Sequence, residues 1–165
     1  MIKIIKGNLL DASEKYLAHQ VNAVSNQAGG LAYYVFKKFP HADIYKARPH
    51  PFRAMGPNFP GHIVLKGDGD KNRFVINMIA QYYPGDPISK HSLLDGFSKR
   101  ESYFQSCLLK MALIPNIESI AFNYGIGCGL AGGNWEKYLE MLEVFNLGVN
   151  LKQSVRVVIY DYEQA

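Results

Sequence analysis

The chain has 165 residues, 48% of them apolar, so one ordinary domain spanning 1–165 is expected to bury a core without disulfide or metal staples. No run approaches the roughly 18 apolar residues of a membrane span, and Lys3, Lys6, Asn8 and Asp11 break any apolar signal segment, so a soluble, cytoplasmic monomer with no membrane partner is expected. Two cysteines without zinc spacing imply no metal and no cofactor, and a net charge of +4, scattered rather than striped, suits an acidic ligand such as a nucleotide.

In chain order, residues 2–5 read as a short strand and 16–22 as a second strand running into polar residues. Residues 31–39 have helical apolar spacing and stop at Pro40. Four prolines make 48–61 an irregular connection. Residues 62–66 and 73–79 read as a hairpin around Gly-Asp-Gly-Asp-Lys-Asn, followed by a second loop over 83–94. A long helix over 97–113, a buried strand over 119–122, a helix over 134–145 and a last strand over 155–160 complete the chain. Strands alternating with helices predict an α/β fold, a three-layer α/β/α sandwich around a mixed, largely parallel sheet. In such sheets ligands sit outside the carboxyl ends of the strands, which collects 22–30, 81–83 and 125–133 around one crevice.

Five glycines in the nine positions 125–133 join a strand to a helix. Such a loop can lay its N–H groups against phosphate, with the following helix aiming its positive end into the same space, or it can be a plain strand-to-helix turn. The second glycine loop at 29–30 favours the phosphate cradle.

Lys6-Gly7-Asn8-Leu9-Leu10 resembles the opening signature of macro domains, Gln27-Ala28-Gly29-Gly30-Leu31-Ala32 their first ligand loop, and Ile126-Gly127-Cys128-Gly129-Leu130 with Trp135-Glu136 their second. The resemblance spans nearly the whole chain and implies an ADP-ribose crevice. Ala18-His19-Gln20 is similar to the branch of yeast-type ADP-ribose 1″-phosphate phosphatases and terminal ADP-ribose protein glycohydrolases. The residues this implies at the ligand are Asn8, Leu9, Gln20, Gln27, Gly29, Gly30, Leu31, Gln81, Tyr82, Tyr124, Gly125, Ile126, Gly127, Cys128, Gly129 and Leu130, with Asn8 accepting from adenine and Asn22 facing the distal ribose. The aspartates used in two hydrolase branches are Ala32 and Ala131 here, and the attacking lysine falls near Ala80 or Gln81. His19 and Asn22 remain as the catalytic candidates.

Each candidate has a plainer alternative. His19 is either an acid–base group at a strand end or a core residue. Asn22 is either at the distal ribose or a turn-former. Asp95 and Arg100 are either a base with a phosphate clamp or an exposed structural pair at a helix start. Cys128 is either a thiol with lowered pKa or a small residue in a tight loop. Tyr82, Tyr83 and Phe104 either stack on the ligand or pack a lid. The function expected is hydrolysis of ADP-ribose 1″-phosphate. The rivals are removal of ADP-ribose from a protein or nucleic acid, and a non-catalytic binder that sequesters such nucleotides.

Overall fold

A computed structural model describes residues 1–87 and 92–162. The strands are β1 (Lys3–Lys6), β2 (Tyr16–Asn22), β3 (His62–Lys66), β4 (Phe74–Gln81), β5 (Ser119–Asn123) and β6 (Arg156–Asp161). The helices are α1 (Gly30–Lys38), α2 (Ser92–Asp95), α3 (Phe97–Met111) and α4 (Trp135–Lys152). One sheet runs in the order β1-β6-β5-β2-β4-β3, parallel throughout except for the antiparallel β3–β4 edge pair. Among the described residues no helix is long and apolar enough to cross a membrane.

The bounds of β2 and β3 coincide with those read from the sequence. β4 runs two residues further, to Gln81, which brings that amide to the strand's carboxyl end. α4 continues to Lys152 because Val149 extends its buried row past Phe145. The middle of the expected 83–94 loop, residues 88–91, lies outside the described residues.

Side-chain parity along the strands builds two cores. Tyr16 and Ala18 of β2 join Phe104, Met111, Tyr138 and Leu142 beneath α3 and α4. Leu17 and Val21, one residue out of phase, join Val35, Phe36 and Tyr45 beneath α1. The molecule is therefore three-layered, with β2 near the middle of the sheet and buried on both faces.

His19 shares the parity of Leu17 and Val21, and this corrects its expected place at the ligand. Its ring is fully buried, edge-on to Phe36 at 5.3 Å. Asn77 gives both amide hydrogens to Ala42 O and Val64 O, so its Oδ1 must accept, and His19 Nε2 donates to it at 2.7 Å. That fixes the neutral Nε2–H tautomer and leaves Nδ1 buried without a partner. Burial outweighs the Asn77 hydrogen bond and pulls the His19 pKa down to about 4.

The unfolded chain takes up the His19 proton near pH 6.5, whereas the folded protein resists until about pH 4. The unfolded state therefore binds more protons across that window, and stability falls as the pH falls. Urea unfolding at pH 7, 5.5 and 4.5 is expected to show a loss approaching about 1.4 kcal/mol per pH unit, up to roughly 3 kcal/mol in all. A flat profile over this range contradicts the buried neutral ring.

Candidate functional site

A cavity of about 550 Å³ opens at the carboxyl ends of β2, β4 and β5, within the size range of small-molecule sites. Its wall is built by Gln20–Asn22 at the end of β2, the loop into α1, Gln81 with Pro84 and Gly85 after β4, and Asn123–Gly127 with Gly129–Ala131 after β5. No Asp, Glu, His, Lys, Arg or Cys is among the described residues that line it.

The first loop is shaped by Asn22. Its Oδ1 accepts from Val24 N at 3.1 Å and Ser25 N at 2.7 Å, so the amide oxygen serves the turn and only Nδ2 remains for a guest. Tyr45 OH accepts from Asn22 N at 2.8 Å and holds the strand end from below. Burial raises the Tyr45 pKa to about 12, against the opposing effects of the Asn22 hydrogen bond and Arg48. The chain then enters α1 through Gly29, which gives no side-chain cap, so the first-turn N–H groups open on the cavity beside Gly29, Gly30 and Leu31. Gly30 has φ +57°, and a Cβ there would stand 3.0 Å from Leu130 Cδ1, so the two glycine loops meet above the cavity.

The second loop is a run of tight turns. Cys128 N donates to Gly125 O, Gly132 N to Gly129 O and Gly133 N to Gly127 O. Among the described residues no internal acceptor meets the N–H groups of Gly127, Gly129 or Leu130. Gly127 is obligatory: φ is +76°, and a Cβ would lie 2.5 Å from the Tyr138 ring and 2.9 Å from Gln20 Oε1. Gly129 has no positive φ, and a Cβ there meets nothing within 4 Å.

The loops are held by a buried ion pair that the sequence presented as an exposed helix-terminal one. Arg100 and Asp95 are 2% and 1% exposed, with Nη2 to Oδ2 at 2.7 Å and Nε to Oδ1 at 3.1 Å. Asp95 also accepts from Tyr82 N and Tyr83 N, at 2.6 and 2.9 Å. Arg100 Nη1 donates to Gly85 O at 2.6 Å and Ala131 O at 3.2 Å, and Nη2 donates to Tyr83 O at 3.1 Å. Gln81 Nε2 reaches Tyr83 O at 2.9 Å, and Gln20 Nε2 reaches Gln81 Oε1 at 2.7 Å. The network thus runs from the ion pair to the cavity floor. It is a brace behind the wall rather than a base and clamp facing a ligand.

Of the residues expected at the ligand, Gln20, Asn22, Gln27, Gly29, Gly30, Leu31, Gln81, Tyr124, Gly125, Ile126, Gly127, Gly129 and Leu130 line the cavity. His19, Asn8, Leu9, Tyr82 and Cys128 do not. Asn8 Oδ1 caps a short 3₁₀ turn at Leu10 N, and Leu9 is buried in the α1-side core. Tyr82 packs edge-on against Phe59 and Tyr83. Phe104 is buried against Tyr138, away from any ligand. Cys128 turns its thiol to Ile126 O, and burial raises its pKa to about 11, the reverse of activation. The helix end aimed at the cavity is α1, whereas α4 is capped by Asn134 Oδ1 on Glu136 N. Sequence reasoning placed Ser25 only within the 22–30 segment around the crevice, and it missed Tyr45 and Asn123. Asn123 ends β5 and was accessible to the strand-end rule, whereas nothing in the sequence marks Tyr45.

The fold recurs in solved structures. The macrodomain of Mycobacterium tuberculosis DarG superposes with a TM-score of 0.69 at 20% identity over 97% of each chain. The chain has the macrodomain fold. The Trypanosoma brucei macrodomain in complex with ADP-ribose matches at TM-score 0.64 and 14% identity, covering 99% of this chain and 64% of that one. Thermosipho africanus DarTG in complex with ADP-ribose matches at 0.64 and 17%, covering 98% of this chain and 42% of that one. No family model and no curated protein matches the sequence.

Asp95→Asn removes the charge that neutralises Arg100 inside the fold. It is expected to lower stability by about 3 kcal/mol or more, because a buried charge is left without its partner. Chemical denaturation checks this, and a change below about 1 kcal/mol shows that the backbone carbonyls alone satisfy the guanidinium.

Proposed function

We propose that this protein binds ADP-ribose-type nucleotides in the cavity, with the diphosphate lying between the open N-terminus of α1 and the second glycine loop. The observation that carries the reading is the convergence of unpaired N–H groups at Gly127, Gly129 and Leu130 on a helix end without a side-chain cap. Both are suited to an anion, and the described lining holds no carboxylate to repel it. Two neighbours of the same fold were solved with ADP-ribose, which supports that ligand class. Amides at Gln20, Asn22, Gln27, Gln81 and Asn123 supply donors and acceptors suited to ribose hydroxyls.

Calorimetry is expected to show ADP-ribose binding at least about tenfold more tightly than AMP, since the loops address the diphosphate rather than the base. Gly129→Val should weaken ADP-ribose by a similar factor while leaving the melting temperature in place, because its side chain enters open space beside the N–H groups. Equal affinity for ADP-ribose and AMP removes this reading, and normal binding by Gly129→Val reduces the second loop to a turn.

Hydrolysis is the second reading, either of ADP-ribose 1″-phosphate or of the bond joining ADP-ribose to a protein or nucleic acid. One observation favours it. Asp86, exposed beside Pro84 and Gly85, places its Oδ1 where a Cβ on Gly132 would stand, so a carboxylate borders the cavity next to Ala131. A carboxylate there can activate water, a contribution of about 10²–10⁴ in rate. His19, buried and neutral, has no part in it. Product analysis over hours separates the readings: turnover by the wild type that falls at least a hundredfold in Asp86→Asn supports hydrolysis, and unchanged ligand supports a binder.

A further inference from the structure

The layer formed by α3 and α4 carries a groove of about 550 Å³ that shares no lining residue with the crevice. Glu101, Lys137 and Glu140 line it near the starts of the two helices, and Leu109, Ala112, Val144 and Gly148 line it further along. Around it Leu109, Val144, Leu147 and Leu151 are each 63% to 87% exposed. Single apolar side chains at a surface are ordinary, whereas four large ones grouped on one helical layer mark a surface that packs against something.

The row along α4 tells what that is. Tyr138, Leu142, Phe145 and Val149 already supply the inward face that the helix needs for its own core. Val144, Leu147, Gly148 and Leu151 form a second, outward row at the i, i+3, i+4, i+7 spacing of a face that packs on another helix. Gly148 is its informative member. Glycine weakens the middle of a helix, and a Cβ there would meet nothing within 4 Å, so no contact inside the chain requires it. It leaves a notch in the exposed face where a side chain from another molecule can seat. Glu140 and Lys152 stand exposed at the two ends of the row, and neither forms an ion pair among the described residues.

We propose that this face pairs with a second copy of the chain, α4 against α4 and antiparallel, about a two-fold axis. The pairing replaces the monomer expected from the sequence and does not rest on the nucleotide reading. In that direction the row is complementary to itself. The register that seats Val144 over the partner's Gly148 sets Glu140 opposite the partner's Lys152 and Leu151 opposite the partner's Met141, and the symmetry repeats each contact. A parallel pairing sets Glu140 against Glu140 and Lys152 against Lys152, and like charges repel. Apolar burial holds the two copies together, and the charges fix their direction. Antiparallel helices turn the two crevices to opposite ends of the dimer, so both stay open.

Sedimentation equilibrium from low to high micromolar protein tests the pairing, with folding of each variant checked by its melting temperature. Wild type is expected to approach twice the 18.6 kDa of the chain as concentration rises. Val144→Asp, which places a charge at an exposed position, should remain a folded monomer throughout. Glu140→Lys and Lys152→Glu should each weaken association at least about tenfold, because each sets like charges opposite one another at both ends of the seam. The double variant Glu140→Lys with Lys152→Glu restores opposite charges and should recover the wild-type dimer. A wild type that stays monomeric at every concentration overturns the proposal. So does a dimer that survives Val144→Asp, since it then uses another face. Loss of the dimer in both single charge variants without recovery in the double one overturns the antiparallel register.

Discussion

The buried pair of Arg100 and Asp95 is the constraint on which the site depends. The wall after β4 and the wall after β5 come from distant parts of the chain and share no strand pairing, yet one guanidinium reaches a carbonyl in each. Asp95 then fixes the backbone of Tyr82 and Tyr83, so the segment following β4 is held by both its N–H and its C=O groups. A pair of charges taken out of water stabilises little by itself, and its value here is geometric. It sets the width of the cavity and, through Gln81 and Gln20, the orientation of its floor.

That rigid frame is combined with a wall in which half of the described lining residues are glycines or side-chain amides and the rest are uncharged. Charge is kept behind the surface, at Arg100 and Arg48, rather than on it. Recognition by N–H groups fixes where oxygen atoms must lie, and a long, flexible cationic side chain would not hold them so narrowly. Among the described residues the Asp86 carboxylate lies beside Gly132 rather than in the cavity lining.

Much of the fold was legible because apolar period and turn residues agree along the chain. β2 and β3 are short, mostly apolar runs ended by the polar residues Asn22 and Lys66, and the 67–72 turn leaves a single pairing for β3 and β4. The glycine loops were legible for the same reason, since few other roles ask for five glycines in nine positions. His19 was misread because parity, not proximity to the loop, decides which face a strand residue takes, and its phase with Leu17 and Val21 was already in the sequence. Asp95 and Arg100 were misread because the break between α2 and α3 turns both inward, and nothing in a spacing of five residues announces it. Gly129 and Gly127 look alike in sequence, and only the neighbouring Tyr138 ring separates a glycine that must be there from one that leaves space.

The first turn of α1 is the least settled part of this frame. A helix of nine residues is entered from Gly29 without a side-chain cap, a choice that forgoes a few tenths of a kcal/mol relative to a serine or aspartate at that place and leaves the first-turn N–H groups without a side-chain acceptor. On the nucleotide reading proposed above, a bound anion would supply the missing acceptors, and ligand and helix start would complete each other. Occupancy is then coupled to folding: at a hundredfold excess over its dissociation constant a ligand adds about 2.7 kcal/mol to the folded state. The cavity is in this sense an unfinished piece of secondary structure, and on that reading the molecule that fills it would act as the final residue of the turn.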